Sequence, residues 1–397
     1  MKPWPESLRE AAGLRVEELG LPDQKDDAWR LIDLSVLYDR GKGLSVASVS
    51  PTAVAIDAQV IVESYRLVFV DGCFSETLSN LSQDDMVKIA PLGLEDGTLH
   101  AYFGKNFQEQ AFAQINTRDF TDCAWIHVKG ETQKPIHVLH VTTGASVPCY
   151  MRCLVVLEPH AQAHLIEEYM GEESCFVNVV SEIVIGDLAK LRHVRVQSES
   201  MQSVHVGNTA VHLGRSGQYD ATSLSFGAKW SRHFLHVVYQ GEDAQVQLDG
   251  LILTEGCQIS DEHTRIEHRV PRCRSVQRHK CIAGGVSTAV FSGNIVVHSG
   301  AVGTDTRQES RNLLLSGLAK VDAQPQLEIL NNDVSCKHGA TVGQIDSESL
   351  FYLRSRGVDE VMARKSLIYA FAAEIVDRIP IPVLVERLRA SMLGRLV

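Results

Sequence analysis

A thiol and an imidazole two residues apart, Cys336 and His338, are the side chains here best suited to metal chemistry. They lie in the stretch VDAQPQLEILNNDVSCKHGATVGQID, Val321 to Asp346. Leu327 and Ile329 alternate with polar neighbours, Asn331-Asn332-Asp333 carries turn chemistry, and Val334 to His338 reads as a second short strand. Extended backbone puts Cys336 and His338 on one face, roughly 6.5 Å apart at Cα, with Lys337 opposite. A soft thiolate beside an imidazole suits zinc, copper or iron-sulfur chemistry, yet the pair fills at most half of a tetrahedral site. Any other ligands must come from elsewhere, another chain included. Val334, Cys336, His338, Ala340 and Val342 share one parity, so the pattern equally describes a core face with a buried cysteine, and spacing alone favours that reading.

Other candidates are weaker. His160 and His164 are four apart in a strand-like region, which puts them on one face without a third ligand. DEHTRIEH, 261 to 268, offers His263, Glu267 and His268 for a metal or for acid-base work, as in a β-helix or cupin-like metalloenzyme acting on a small molecule or sugar. Alternation puts Asp261, His263 and Glu267 on one face with Glu262 and His268 on the other, and a solvated strand face explains the charges as well. Cys273 and Cys281 flank RSVQRHK, read as a surface turn. A P-loop, a G-x-G-x-x-G after a strand, a G-x-S-x-G elbow and H-E-x-x-H are all absent from the sequence, which argues against a self-contained nucleotide enzyme.

These residues must be positioned by a large fold. The 397 residues, 44% hydrophobic, suffice for a big core, and the net charge of −11 argues against nucleic acid or an anionic membrane as the main partner. The start MKPWPESLREAAG lacks the apolar region of a signal peptide, and the apolar run from Leu367 to Val376 is interrupted by Glu374, so a cytoplasmic protein is expected. Nine cysteines without a C-x-x-C pair suggest reduced core thiols.

The spacing predicts a helix over 6–19, leaves the dense apolar cluster Trp29, Leu31, Ile32 and Leu34 unassigned, and predicts a hairpin in RLVFVDGCFSETLS. A helix over 106–118 and strands at 125–128 and 135–141 follow, so 1–134 is read as a mixed helical front section. From 135 to 345 short β-like runs dominate. HVGNTAV, QLDGLIL and FSGNIVV centre on Gly207, Gly250 and Gly293, each 43 residues after the last, with LLSGLAKV echoing them at Gly317. Forty-three, taken as two units of about 22, would suit the rungs of a β-solenoid; a sandwich or double-stranded barrel is the alternative. Residues 346–397 return to helix. Asp346 or Ser347 and then Asp359 act as caps, Gly357 is a terminator, Val361, Ile368, Phe371 and Ile375 form one stripe, and Leu384, Leu388, Met392 and Leu396 form another. Such stripes pack on a core or dock a partner.

The run QPQLEILNNDVSCKHGATVGQIDSESLFYLRSRGV strongly resembles the SufB/SufD family of iron-sulfur cluster assembly, on its D side. LPDQKDDAWRLIDLS, LVFVDGCFS, PIHVLHV, HTRIEH, AVFSGNIVVHSGA, RNLLLSGLAKVD and KSLIYAFAAEIV match too, so the resemblance spans nearly the whole chain. It implies a mainly β protein with a right-handed parallel β-helix core and helical N- and C-terminal parts. It also implies a non-catalytic scaffold that pairs with SufB and docks the ABC-type ATPase SufC through its C-terminal helices, here Leu350, Phe351, Val361, Ile368, Phe371, Glu374 and Ile375. The nascent cluster would be shared with SufB at Cys336 and His338, through a thiolate whose pKa is lowered by its surroundings. Lys337 stands where a small polar residue is common in the family. The resemblance gives this chain no nucleotide, leaves room for a reduced flavin on the complex, and connects it to sulfur donors only indirectly.

Overall fold

A computed structural model describes residues 6–40, 61, 63–81, 84–92, 98–144 and 148–395. Leu396, the last residue of the C-terminal stripe, lies outside the described residues.

β-Branched residues at period two make short strands, and here those strands coil into a parallel β-solenoid of about eight turns. Each turn gives one strand to each of two facing sheets. Ile136–Thr142, Gln162–Gly171, Lys190–Gln197, Gln218–Ser225, Gln245–Thr254, Arg274–Ala283, Thr304–Leu314 and Val334–Gln344 stack in the first sheet. Cys149–Leu157, Phe176–Ile185, Val204–Leu213, Trp230–Tyr239, Ile259–His268, Thr288–Val297 and Lys320–Ile329 stack in the second. The sheets also reach back beyond residue 135. The expected hairpin, Tyr65–Val70 with Cys73–Phe74, starts the first sheet, and Val87–Pro91 with Ala124–Val128 starts the second.

A unit of 22 is not the rung. The register steps from Val204 to Trp230 in 26 residues and from Thr288 to Lys320 in 32. Forty-three residues is therefore about one and a half turns, which carries the glycine echo from one sheet to the other and back. Gly207, Gly250 and Gly293 all face inward, and each makes room for a neighbour's side chain. A Cβ at Gly250 would lie 2.2 Å from His279 Nδ1, one at Gly293 1.8 Å from Gln308 Nε2, and one at Gly207 3.2 Å from His233 Cδ2. Gly317 lies between strands and takes no part.

The interior has two halves. Toward the C-terminal ends of the second sheet's strands it is apolar, with Val155, Ile183, Val211, Val237, Ile266 and Ile295 packed against Val138, Leu165, Leu191 and Leu248. The other half is polar and almost as buried. Glu167 accepts from Tyr169 O–H and Ser181 Oγ, both at 2.7 Å, and lies 3.0 Å from His193 Nε2. Arg195 Nη2 donates to His205 Nε2 (2.7 Å), whose Nδ1 is 2.6 Å from Glu199. His233 Nδ1 lies 3.0 Å from Glu262 and its Nε2 3.0 Å from Thr209 Oγ1, and further along His279 stacks on Phe291 at 4.0 Å. Burial would raise the pKa of Glu167 and Glu262, but hydrogen bonds and neighbouring imidazoles bring both down to about 2. Burial holds His140, His233 and His279 near 4, hence neutral at pH 7.

Helices cover the outer faces. Helix α1 (Glu6–Leu19) packs on α3 (Ala111–Asp119), and α3 lies on the second sheet, while α2 (Ser35–Arg40) follows a segment of turns. Helix α3 begins later than expected because Phe107 stands at φ 63°, outside helical geometry, while Gly104, Lys105 and Asn106 give their N–H groups to the Glu182 carboxylate. That carboxylate also takes Arg152 Nη2 at 2.6 Å. Trp29, in the segment the pattern left open, stacks on Trp230 at 6.4 Å. On the other side, α5 (Glu360–Val376) and α6 (Pro382–Arg395) bury Ile368, Ile375, Leu384, Leu388 and Met392 on Val194, Leu224, Leu251 and Ile282 of the first sheet. Asp346 and Asp359 cap α4 (Ser347–Ser355) and α5 as predicted, at 2.8 Å to Ser349 N and 3.1 Å to Met362 N, and Gly357 (φ 89°) separates them.

Candidate functional site

The last strand of each sheet has a neighbour on one side only. Asn331 and Asp333 make the turn between Lys320–Ile329 and Val334–Gln344, with Asp333 N bonded to Asn331 Oδ1 at 2.8 Å and Gly303 N to Asp333 O at 2.8 Å. The two strands run to opposite sheets, so the solenoid ends on two open edges. Leu318 (70% exposed), Leu330 (66%) and Val342 (51%), which precede, follow and lie on these last strands, leave apolar side chains in solvent near unpaired backbone.

Cys336 and His338 stand on this edge. Register places Cys336 over Thr306 and His338 over Gln308, both inward-facing, so their parity is that of the core. With no further turn above them, Cys336 is only half-buried and His338 is exposed. Beneath Cys336, Thr306 Oγ1 and Ser275 Oγ lie 2.6 Å apart, and Ser275 Oγ is 3.0 Å from His268 Nε2. Beneath His338, Gln308 is 3% exposed and neither polar atom of its amide finds a hydrogen bond among the described residues. In this chain Cys336 has a raised pKa, not a lowered one: burial disfavours the thiolate and the charge of Asp305 adds to it. An approaching cation, metal or protein, would be needed to draw off the proton.

The second candidate set does not converge. Strand Ile259–His268 points Asp261, His263 and Glu267 outward and Glu262 and His268 inward, as alternation requires. His263 Nε2 lies 2.9 Å from Asp261 and 3.2 Å from Arg232 Nη1, on the wall of a cavity of about 730 Å³ shared with Arg265, Asn294 and Gln326. Burial would raise the pKa of Glu267, but Arg265, Arg269 and His236 hold it near 2. His268 is enclosed beside Tyr239, and burial lowers its pKa to about 3. His263 and Glu267 face outward and His268 inward, so the three do not meet at one site.

Two smaller expectations also change. His160 turns the chain at φ 66° while His164 lies in the following strand, so they form no pair on one face. RSVQRHK is a strand, Arg274–Ala283, and not a surface turn; its inward Ser275, Gln277 and His279 belong to the polar interior.

The C-terminal set divides. Helix α4 buries no residue of its own, and Phe351 (72% exposed), Val361 (61%) and part of Leu350 face outward. Ile368 and Ile375 are spent on this chain's own sheet and are not available to a partner. Phe371 lies under Lys280 Nζ, 4.2 Å from the ring, and Glu374 pairs with Lys280 at 2.6 Å. Sequence reasoning missed the polar interior altogether. The available signal was Glu, His and Arg recurring at inward parity, as in LRHVRVQ.

Residues 140–371 match the family model described as "SUF system FeS cluster assembly, SufBD core domain". The chain is 35% identical to an iron-sulfur cluster assembly SufBD family protein of Synechocystis, over 98% of this chain and 90% of that protein. It is 31% identical to the iron-sulfur cluster assembly protein SufD of Escherichia coli, over 90% of this chain and 85% of that one. To the chloroplast protein ABCI7 of Arabidopsis thaliana it is 30% identical, over 90% and 79%.

Proposed function

Because the chain belongs to the SufB/SufD family of iron-sulfur cluster assembly proteins, we propose that it is the D-type scaffold subunit, pairing with a SufB-type chain across its open edge and presenting Cys336 and His338 to the nascent cluster. The cluster is cargo, shared with ligands of the partner. The observation that carries this reading is the placement of Cys336 and His338 on the terminal, one-sided strand of the solenoid. A thiol and an imidazole left partly uncovered on the last rung suit a half-site completed by a second chain. Docking at this edge would bury Leu318, Leu330 and Val342 and satisfy the backbone groups they flank.

The exposed faces of α4 and the start of α5, with Phe351 and Val361, are the proposed docking surface for the SufC-type ATPase, which supplies the nucleotide chemistry. In the complex a cationic or metal neighbour would offset the burial and Asp305 charge that hold the Cys336 proton.

The test is iron and sulfide content, with absorbance, of the complex co-expressed with SufB- and SufC-type partners, comparing wild type with Cys336→Ala and His338→Ala. Collapse of cluster content in an assembled complex is expected. Unchanged content would give the assembly site to the partner alone and make these residues structural.

A further inference from the structure

Two thiols far from the open edge touch one another inside the first turns. Cys149 begins strand Cys149–Leu157, and Cys175 immediately precedes Phe176–Ile185, the strand stacked on it. Their Sγ atoms are 3.2 Å apart. Non-bonded carbon atoms pack best at about 3.5–4.0 Å, and sulfur is larger, so this is a close contact. Met151, Tyr169, Val177 and Val179 enclose the pair, and both residues are at most 2% exposed.

A clasp covers it. The turn of the first hairpin places Asp71 at φ 49°, and its carboxylate accepts from Thr143 N at 2.9 Å and Thr143 Oγ1 at 2.5 Å. The Cys149 thiol also points to Asp71 Oδ1, at 3.8 Å. One residue therefore holds the hairpin turn, the neighbouring strand end and the thiol together.

We propose that Cys149 and Cys175 are an oxidisable dithiol, which hydrogen peroxide converts into an intrachain disulfide that pins two neighbouring turns of the solenoid. One sulfur attacks the peroxide, the O–O bond breaks, and a sulfenic acid and one water form. The second sulfur then displaces the sulfenic oxygen as another water. Two electrons and two protons leave the thiols, and the peroxide is reduced to two waters. The contact between the sulfurs supplies the resolving thiol at once, so over-oxidation is intercepted. The neighbouring thiol, burial and Asp71 all keep Cys149 protonated, so the rate is set by opening of the clasp.

The full chain is treated with hydrogen peroxide, alkylated without reduction and mapped by mass spectrometry, with exposed Cys73 and Cys257 reporting the dose. The expected product is one cross-linked peptide pair containing Cys149 and Cys175, lighter by two hydrogens and lost on reduction. Asp71→Ala should accelerate its formation several-fold. The proposal is overturned if Cys73 and Cys257 oxidise while Cys149 and Cys175 stay alkylatable after unfolding, or if either bonds to a different cysteine. Should Asp71→Ala fail to fold, the wild-type map decides alone; Cys175→Ser should then leave Cys149 as a sulfenic acid that dimedone traps.

Discussion

Glu182 ties a loop to the second sheet through four residues, and its removal can be worked through. It accepts N–H groups of Gly104, Lys105 and Asn106 and the Asn106 amide at 2.8–3.3 Å, and it pairs with Arg152 at 2.6 Å with both side chains 1% exposed. Replacing it with alanine strands the Arg152 guanidinium, which keeps only Asn116 Oδ1, Thr117 Oγ1 and the face of Phe103. Breaking a buried pair from one side costs about 3–5 kcal/mol, and the loop amides lost with it do not add independently. Glu182→Gln keeps one acceptor oxygen and the volume, and should cost roughly half as much. Arg152→Met is milder, about 1–3 kcal/mol, because Glu182 retains its four N–H donors. The double variant should cost less than the two singles together by at least about 2 kcal/mol, since no charge is left unpaired. Urea denaturation gives the energies, and hydrogen exchange at the amides of Gly104, Lys105 and Asn106 should rise first. A Glu182→Ala cost below about 1 kcal/mol, or strict additivity in the double variant, would refute the reasoning.

Two further outcomes follow from the interior. His140, His233 and His279 have pKa values near 4 in the folded chain against about 6.5 unfolded, so the unfolded chain binds their protons first. Their stabilising contribution is complete above pH 6.5 and is lost on acidification toward 4, on the order of 1.4 kcal/mol per group per unit; a urea midpoint equal at pH 7.5 and pH 5 would contradict it. Glu167 and Glu262, held near 2, add a second loss only below about pH 4.3. Gly250→Ala drives a methyl group into the buried ring of His279, 2.2 Å from Nδ1, and should destabilise by about 1–3 kcal/mol, whereas Gly339→Ala meets open space and should be neutral in the same denaturation series.

The solenoid was legible in outline because period-two runs and turn residues recur over two hundred positions, and the helical ends were legible through Asp346, Gly357 and Asp359. The rung length was not. The glycine echo records inward sites that need space on alternate sheets, a period of one and a half turns that a linear reading takes for two. Cys336 and His338 were legible as a same-face pair because parity is a local property. Whether that face is core or edge depends on whether another turn follows, which is a matter of tertiary stacking. The same limit explains the C-terminal helix: Val361 and Ile368 share a helical face, yet only Ile368 has a sheet beneath it. In DEHTRIEH alternation already separated His268 from His263 and Glu267, and the structure puts a sheet between them. The buried charges escaped notice because inward strand positions are expected to be apolar.

That polar interior also solves a problem of identity. Successive turns of a solenoid are nearly interchangeable in their apolar half, so a chain stacking one strand on the wrong neighbour would lose little hydrophobic contact. The polar half labels each turn differently. Glu167 faces His193 and Glu262 faces His233, each one turn away along the stack. Shifted by a whole turn, these carboxylates would lose their imidazole partners while still buried, at several kcal/mol each. A turn stacked one step out would forfeit these charge pairs as well as its packing, which favours the register that leaves Cys336 and His338 outermost.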